Sequence, residues 1–580
     1  MATLTKNLFH GAGEGDWRLE VLEGEWPTDA FGEVFIIGPD KRRPGGHWFD
    51  HFGLLHRFSM EPSADGTLEA RARRMETPVA RLAGRYPRLF RTVGFAQLSP
   101  FGVSNMANTN VQTIDGRLFV GYDAGRPIEV DPVTMEVITP VGSNGEWAQM
   151  APGLLEPMCP VAAHPAPAYE ERCVYFVNYF PMPGAPTHVA RWGLNGPVER
   201  WPVEGMSPFD SIHDIKATRN HLVFCDLPFK IEVGAMRAGG RRQIPNQDFT
   251  QLWIVAKDDL RRTPPGESVP ATEVRIPVPT GHVIADVDDD DGIIRVHLEH
   301  IALADLMITA EAGERTHSGD VVSADHEGIV SLANQPGCMG TYEIVAETGE
   351  VRVAEKMWDD RFWGGVLSTY DCSDAEARER VTQAWYSGTG YDPDLTSAEW
   401  WDLYSSSDNE RLVPLDELPA EGRPGALAHF DLAARKVAGT WSYEEPGTFP
   451  SPPTFVPRRD RSGPNDGYVV VLVHRGDWRN CSPGGGKEMH VFDAQDIEAG
   501  PIARAGAAGF NPPLLLHSYW SERRVGPRPS NYSVSRSRDI AGALAGFGRV
   551  PRTWARTAKE LRAQRRAGTL PTSGPGAVGF

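Results

Sequence analysis

Four histidines have the character of metal ligands: His164 in Ala-Ala-His-Pro, His213 in Ser-Ile-His-Asp, His282 in Gly-His-Val-Ile-Ala-Asp and His517 in Leu-Leu-Leu-His-Ser-Tyr-Trp. They lie 49, 69 and 235 positions apart, and none belongs to a compact motif of the His-Glu-x-x-His kind. Each stands at the edge of an apolar or strand-like run. If those runs are strands of one radial fold, the four imidazoles converge on its axis. An all-nitrogen site of that kind points to iron and oxygen chemistry rather than to a generic zinc site.

The elements that must position them are short strands. The chain has 580 residues, 41% of them hydrophobic, with 60 glycines and 48 prolines. That composition favours many strands joined by turns over a helical bundle. Glu33-Val-Phe-Ile-Ile-Gly38, Cys173-Val-Tyr-Phe-Val177 and Tyr468-Val-Val-Val-Leu-Val473 are β-like runs. Ile-Asp-Gly-Arg at 114–117, Glu-Thr-Gly-Glu at 347–350 and Asn-Asp-Gly-Tyr at 465–468 carry turn chemistry. Propeller blades take about 40–50 residues each, so six or seven would use roughly 300 and leave the rest as long loops over one face. Two stretches break the pattern. Residues 372–420 read as capped helices, at Ser373-Asp-Ala-Glu and at Ser397-Ala-Glu-Trp-Trp, forming a packed lid. Asp539 to Arg566 reads as a basic, partly amphipathic helix.

The formal net charge of −19 repels nucleic acid, so none is expected as a partner. The charge is uneven: acids crowd Asp286 to Asp291, and the tail from Arg523 to Arg566 is basic. The ordinary reading of that tail is a solvated or docking helix; the functional one is peripheral contact with a membrane surface. The six cysteines (159, 173, 225, 338, 372, 481) include no Cys-x-x-Cys pair and are expected as reduced, mostly buried thiols of a cytoplasmic protein. Met1 to Gly11 lacks a signal-peptide pattern, and no apolar run approaches the ~20 residues that span a bilayer.

Several phrases in order resemble the carotenoid oxygenase family, the carotenoid cleavage dioxygenases, retinoid isomerase and stilbene-cleaving dioxygenases, over roughly residues 30–520. They are Gly45-Gly-His-Trp-Phe-Asp50 with Gly53-Leu-Leu-His-Arg57, then Ala107-Asn-Thr-Asn110, and Ser211-Ile-His-Asp214 followed by Val223-Phe-Cys-Asp-Leu-Pro228. Phe455-Val-Pro457, Asp466-Gly-Tyr468 and Phe492-Asp-Ala494 follow, and His517 stands in place of the histidine of a closing Gly-Phe-His-Gly element. The resemblance implies an all-β, seven-bladed propeller over 31–525 with a helical and loop cap. A leader over 1–30 would dock on the core, and a basic extension would occupy 526–580. It implies Fe(II) held by His164, His213, His282 and His517, with no catalytic side chain beyond the ligands. The implied reaction takes molecular oxygen and cleaves a conjugated C=C bond of a carotenoid- or apocarotenoid-like polyene to two carbonyls. A stilbenoid or phenylpropene cleaver, or a non-oxygenating isomerase or binding member, are the alternatives.

The family supports three of its histidines with glutamates that accept the ring N–H. Asp123 takes the first of those places here. The third falls on Pro452, and no glutamate is visible near Phe362–Leu367, where the second belongs. Tyr122 stands where stilbene cleavers carry a lysine. His56, His188, His221, His297, His300 and His490 are expected to be structural or exposed.

Overall fold

Strands account for 45% of the residues and helices for 13%, so the molecule is all-β. The computed structural model describes residues 11, 13–40, 47–93, 96–179, 185–206, 211–227, 241, 245–324, 326–331, 333–371, 380–406, 410–445, 448–475, 486–522 and 526–567. Five antiparallel sheets each take four strands. Their innermost strands are Asn110–Ile114, Ala166–Ala168, Ser211–Ala217, Thr280–Ala285 and Gly365–Tyr370. The middle strands are buried on both faces, as in Cys173–Asn178, because a neighbouring sheet covers each side. The outer strand Thr272–Pro277 alternates exposed and buried instead. The hairpin expected at 114–117 forms, with Asp115 at φ 52° and Gly116 at φ 72°, the left-handed pair that a two-residue turn needs.

Ten further strands make one sheet rather than two separate blades, so the expected seven do not appear as seven sheets; two small sheets of two and three strands complete the set among the described residues. Gly15–Gly24 pairs with Pro501–Gly506 on one edge and with Leu68–Arg74 on the other. The part of the expected leader that the structure describes is therefore a strand that joins the two ends of the chain. The innermost strands lie against one another in turn, from Ala166–Ala168 through Ser211–Ala217, Thr280–Ala285, Gly365–Tyr370 and Thr454–Pro457 to Ser518–Ser521, which meets Asn110–Ile114. This is a propeller-type ring about a common axis.

Within 372–420 only Ala398–Ser405 is an α-helix among the described residues. Ser397 caps it as expected, its hydroxyl accepting from Trp400 N at 3.2 Å. Gln383–Gly388 is a strand, because its Ala-Trp-Tyr core completes a sheet, and 373–379 lie outside the described residues. Trp400 and Tyr404 pack on Leu303 and Ile308, and Tyr404 donates to Asp305 at 2.6 Å. The acidic run is likewise absorbed locally: buried Asp289 accepts from His221, Thr218 and Asn220, while Asp290 pairs with Arg219 and Asp291 with Arg295.

Candidate metal centre

Each of the four histidines lies within two residues of the start of the innermost strand of its sheet. His213 sits on Ser211–Ala217 where the ladder is irregular: Ile212 pairs with Asp226 and Asp214 with Cys225, which leaves His213 as the extra residue of a β-bulge. A bulge re-aims a side chain without costing the rest of the strand its register. A second bulge, between Thr280 and His282, sets His282 opposite Glu299. His164 is tied to the same place, its N–H donating to His213 O at 3.2 Å. Gly121 lets this chain approach, since a Cβ there would lie 2.1 Å from Ala163 O. His517 is held as its carbonyl accepts from Ile37 N at 3.0 Å.

The four rings converge. Their centroids are 4.1 Å (His164–His517) to 6.2 Å (His213–His517) apart, and one nitrogen of each lies within 4.8 Å of the others. A metal–imidazole bond of about 2.1 Å puts opposed ligand nitrogens about 4.2 Å apart, so the cluster is of the right size with a small contraction. His164 Nε2 and His517 Nε2 face each other at 3.1 Å, and His282 Nε2 is buried with no hydrogen-bond partner. Burial, with the neighbouring imidazoles, holds His164 and His517 well below the ordinary histidine range, so both keep the neutral form that ligates.

Two carboxylates orient the rings from behind. Asp123 accepts from His213 Nδ1 at 2.8 Å and from Ala163 N at 3.2 Å. Glu299 accepts from His282 Nδ1 at 3.2 Å, and its other oxygen accepts from Ser368 N at 3.2 Å and from the Ser368 hydroxyl. The second supporting acid is expected near 362–367, where the sequence has no glutamate. The structure corrects this: the carboxylate comes from the strand paired with His282, and Ser368, next to the expected place, holds it. Among the described residues the hydrogen bonds of His164 and His517 run to each other and to backbone atoms.

Two cavities meet at the histidines. One is apolar, lined by Trp48, Phe49, Met158, Ile301, Leu306 and Leu514 with His213, His282 and His517. The other is polar, lined by Tyr169, Asp214, Lys216, Ser368 and Tyr370 with His164, His282 and His517. On Ser211–Ala217, Thr280–Ala285 and Gly365–Tyr370 the first residues serve the apolar cavity and the later ones the polar cavity: Ser211 and His213 against Asp214 and Lys216. The helix Ala398–Ser405 packs on the 303–308 segment that walls the apolar side. Tyr122 and Tyr179 also line it; burial pushes both phenols above the usual range, and Tyr179 shares a hydrogen bond with Ser211 at 2.6 Å. Of the histidines expected to be structural, His300 bonds Tyr342, His297 bonds Thr341 and His490 bonds Glu488, all away from the cluster.

A family model described as retinal pigment epithelial membrane protein matches residues 8–522. The chain belongs to that family, the carotenoid oxygenases. Among carotenoid oxygenase relatives it is similar to resveratrol cleavage oxygenase 1 of Aspergillus fumigatus, 24% identical over 509 residues that cover 83% of this chain and 88% of that one. It is similar to the apocarotenoid-15,15'-oxygenase of Synechocystis, 22% identical over 539 residues, 88% of this chain and 94% of the relative. A shorter stretch of 140 residues is 33% identical to the chloroplastic carotenoid cleavage dioxygenase 7 of Oryza sativa, covering 21% of this chain and 22% of that protein. A variant of the Synechocystis apocarotenoid oxygenase superposes with a TM-score of 0.61 at 18% identity, over 89% of this chain and 98% of the other. The lignostilbene dioxygenase of Pseudomonas brassicacearum gives 0.59 at 18%, over 88% and 96%. These likenesses establish the carotenoid oxygenase fold.

Proposed function

We propose that the protein is a non-haem Fe(II)-dependent dioxygenase that cleaves a conjugated C=C bond of a carotenoid- or apocarotenoid-like substrate into two carbonyl products. The observation that carries this is the cluster of four imidazoles, three of which line the apolar cavity. His164, His213, His282 and His517 would hold the iron. Asp123 and Glu299 supply two negative charges behind neutral ligands, matching a divalent ion in a low-dielectric site. Bound iron would supply the binding and activation of molecular oxygen.

The rest of the work falls to the chain. The aromatic and aliphatic wall takes an alkene out of water and holds it beside the histidines, while the capping helix backs that wall and excludes solvent. No lysine or arginine lines the apolar cavity among the described residues, which favours a substrate without an ionised end. An aryl alkene is the second reading, favoured by the Tyr122 and Tyr179 hydroxyls, either of which can hydrogen-bond a phenol. The four described cysteines are buried and unpaired, in keeping with a reducing, cytoplasmic setting.

Anaerobic loading with Fe(II), followed by oxygen uptake and product masses across apocarotenoid and stilbene panels, tests the proposal. One oxygen consumed per alkene cleaved supports it; stoichiometric iron with no oxygen consumption on any substrate rejects it. The support from Glu299 has its own measurement. Glu299→Ala is expected to weaken iron binding about 10–100-fold in a chelator competition, with Glu299→Gln less affected because it retains an acceptor oxygen. Equal iron affinity in all three proteins would remove Glu299 from the site.

A further inference from the structure

The C-terminal helix Arg536–Ala567 carries three faces, and the first of them holds it to the body. On the first, Asp539 accepts from Arg126 at 2.8 Å and from Asn144 N at 2.7 Å, Gly542 meets Gly145, and Ala543 is fully buried. That face fixes the first turns to the body. Ile540, Leu544 and Phe547 follow one another at helical spacing on a second face, and they are 40%, 60% and 48% exposed. The spacing continues in the sequence at Trp554 and Leu561. The third face is basic, with Arg549, Arg552, Arg556 and Lys559 exposed. The helix holds nine basic and two acidic residues in a chain of net charge −19, so the sign of its charge is opposite to that of the whole.

We propose that Arg536–Ala567 is a docking element for an anionic lipid surface, lying in the headgroup plane with Ile540, Leu544 and Phe547 turned into the acyl boundary. An exposed apolar stripe beside a basic face is the arrangement that binds such surfaces, by apolar burial and by attraction to acidic headgroups together. The other occupants fit less well. A second copy would bring two strongly basic helices side by side. A nucleic acid would satisfy the arginines but give the apolar residues nowhere to go, and the acidic body opposes it. The inference rests on the helix alone and is independent of the iron chemistry.

Co-sedimentation of the full-length protein with phosphatidylcholine vesicles, with and without phosphatidylglycerol, tests it. The protein should pellet with the anionic vesicles, stay in solution with the neutral ones, and be released by high salt. The combined Ile540→Ser, Leu544→Ser, Phe547→Ser variant and the combined Arg552→Glu, Lys559→Glu, Arg566→Glu variant should each lower binding at least about tenfold. All six positions are exposed, so the melting temperature and the iron content should match the unsubstituted protein. The proposal is overturned if the unsubstituted protein ignores anionic vesicles, or if the apolar variant binds them unchanged. It is also overturned if the protein binds duplex nucleic acid more tightly than anionic vesicles and only the charge reversal weakens that binding.

Discussion

Replacing His213 with alanine should give a folded protein that retains no iron after desalting and cleaves its substrate at least about 100-fold more slowly. The size of the effect follows from what the ring does. His213 is buried at a bulge, where no ladder pairing depends on it, so its loss leaves the Ser211–Ala217 register in place. The same loss takes one of four nitrogens from the cluster and leaves Asp123 without the ring it orients. Loss of an outer partner alone costs about 10–100-fold, and loss of the ligand itself should reach at least the upper end of that range. Asp123→Asn is the graded control: the ring keeps an acceptor oxygen but not the charge, and iron affinity should fall by less than in His213→Ala. Iron content by mass spectrometry, read beside the thermal unfolding midpoint, separates a lost ligand from a lost fold. A His213→Ala protein with full iron and full turnover would show that the cluster is not the centre of the chemistry.

The histidines were legible in the sequence because each is bound to local features: an apolar run, a strand start and a short signature that travels with it. The Asp115–Gly116 hairpin and the Ser397 cap were legible for the same reason, since turn and cap chemistry is written in adjacent residues. Glu299 was not. Its role depends on the one-residue shift that sets it across from His282, and a bulge in a partner strand leaves no mark on the sequence around Glu299 itself. Sequence position pointed to the neighbourhood of Ser368, which proves to hold the carboxylate rather than supply it. The two-sided pairing of Gly15–Gly24 was hidden likewise, because a leader and a joining strand share the same alternation and differ only in what lies beside them.

The C-terminal extension shows the same limit, and it yields the second large prediction. Glu129→Ala should destabilise the protein by about 3–5 kcal/mol, the range for removing one partner of a buried ion pair. Glu129 is fully buried, and both its oxygens are engaged from two directions. Arg117 donates to it from Nε at 2.9 Å and Nη2 at 2.7 Å, and Arg528, 399 positions away, donates from the same two atoms at 2.7 Å each. Arg117 is itself buried against Phe119, Trp192 and Tyr532. Tyr532 accepts from Gly142 N at 2.9 Å and, two residues before the helix that starts at Arg536, Val534 N donates to the Thr139 hydroxyl at 3.0 Å. The segment is therefore a strap across the Asn110–Ile114 sheet, not a solvated tail. Without Glu129, two guanidinium groups remain close together and poorly solvated, with no anion between them. Arg528→Ala should cost less, about 1.5–3 kcal/mol, because Glu129 keeps Arg117. The double substitution should cost clearly less than the sum of the two, since the second change relieves the repulsion that the first creates. Urea unfolding followed by tryptophan fluorescence measures all three. A Glu129→Ala protein within about 1 kcal/mol of the unsubstituted one would mean that water replaces the carboxylate and that the strap is held by its other contacts.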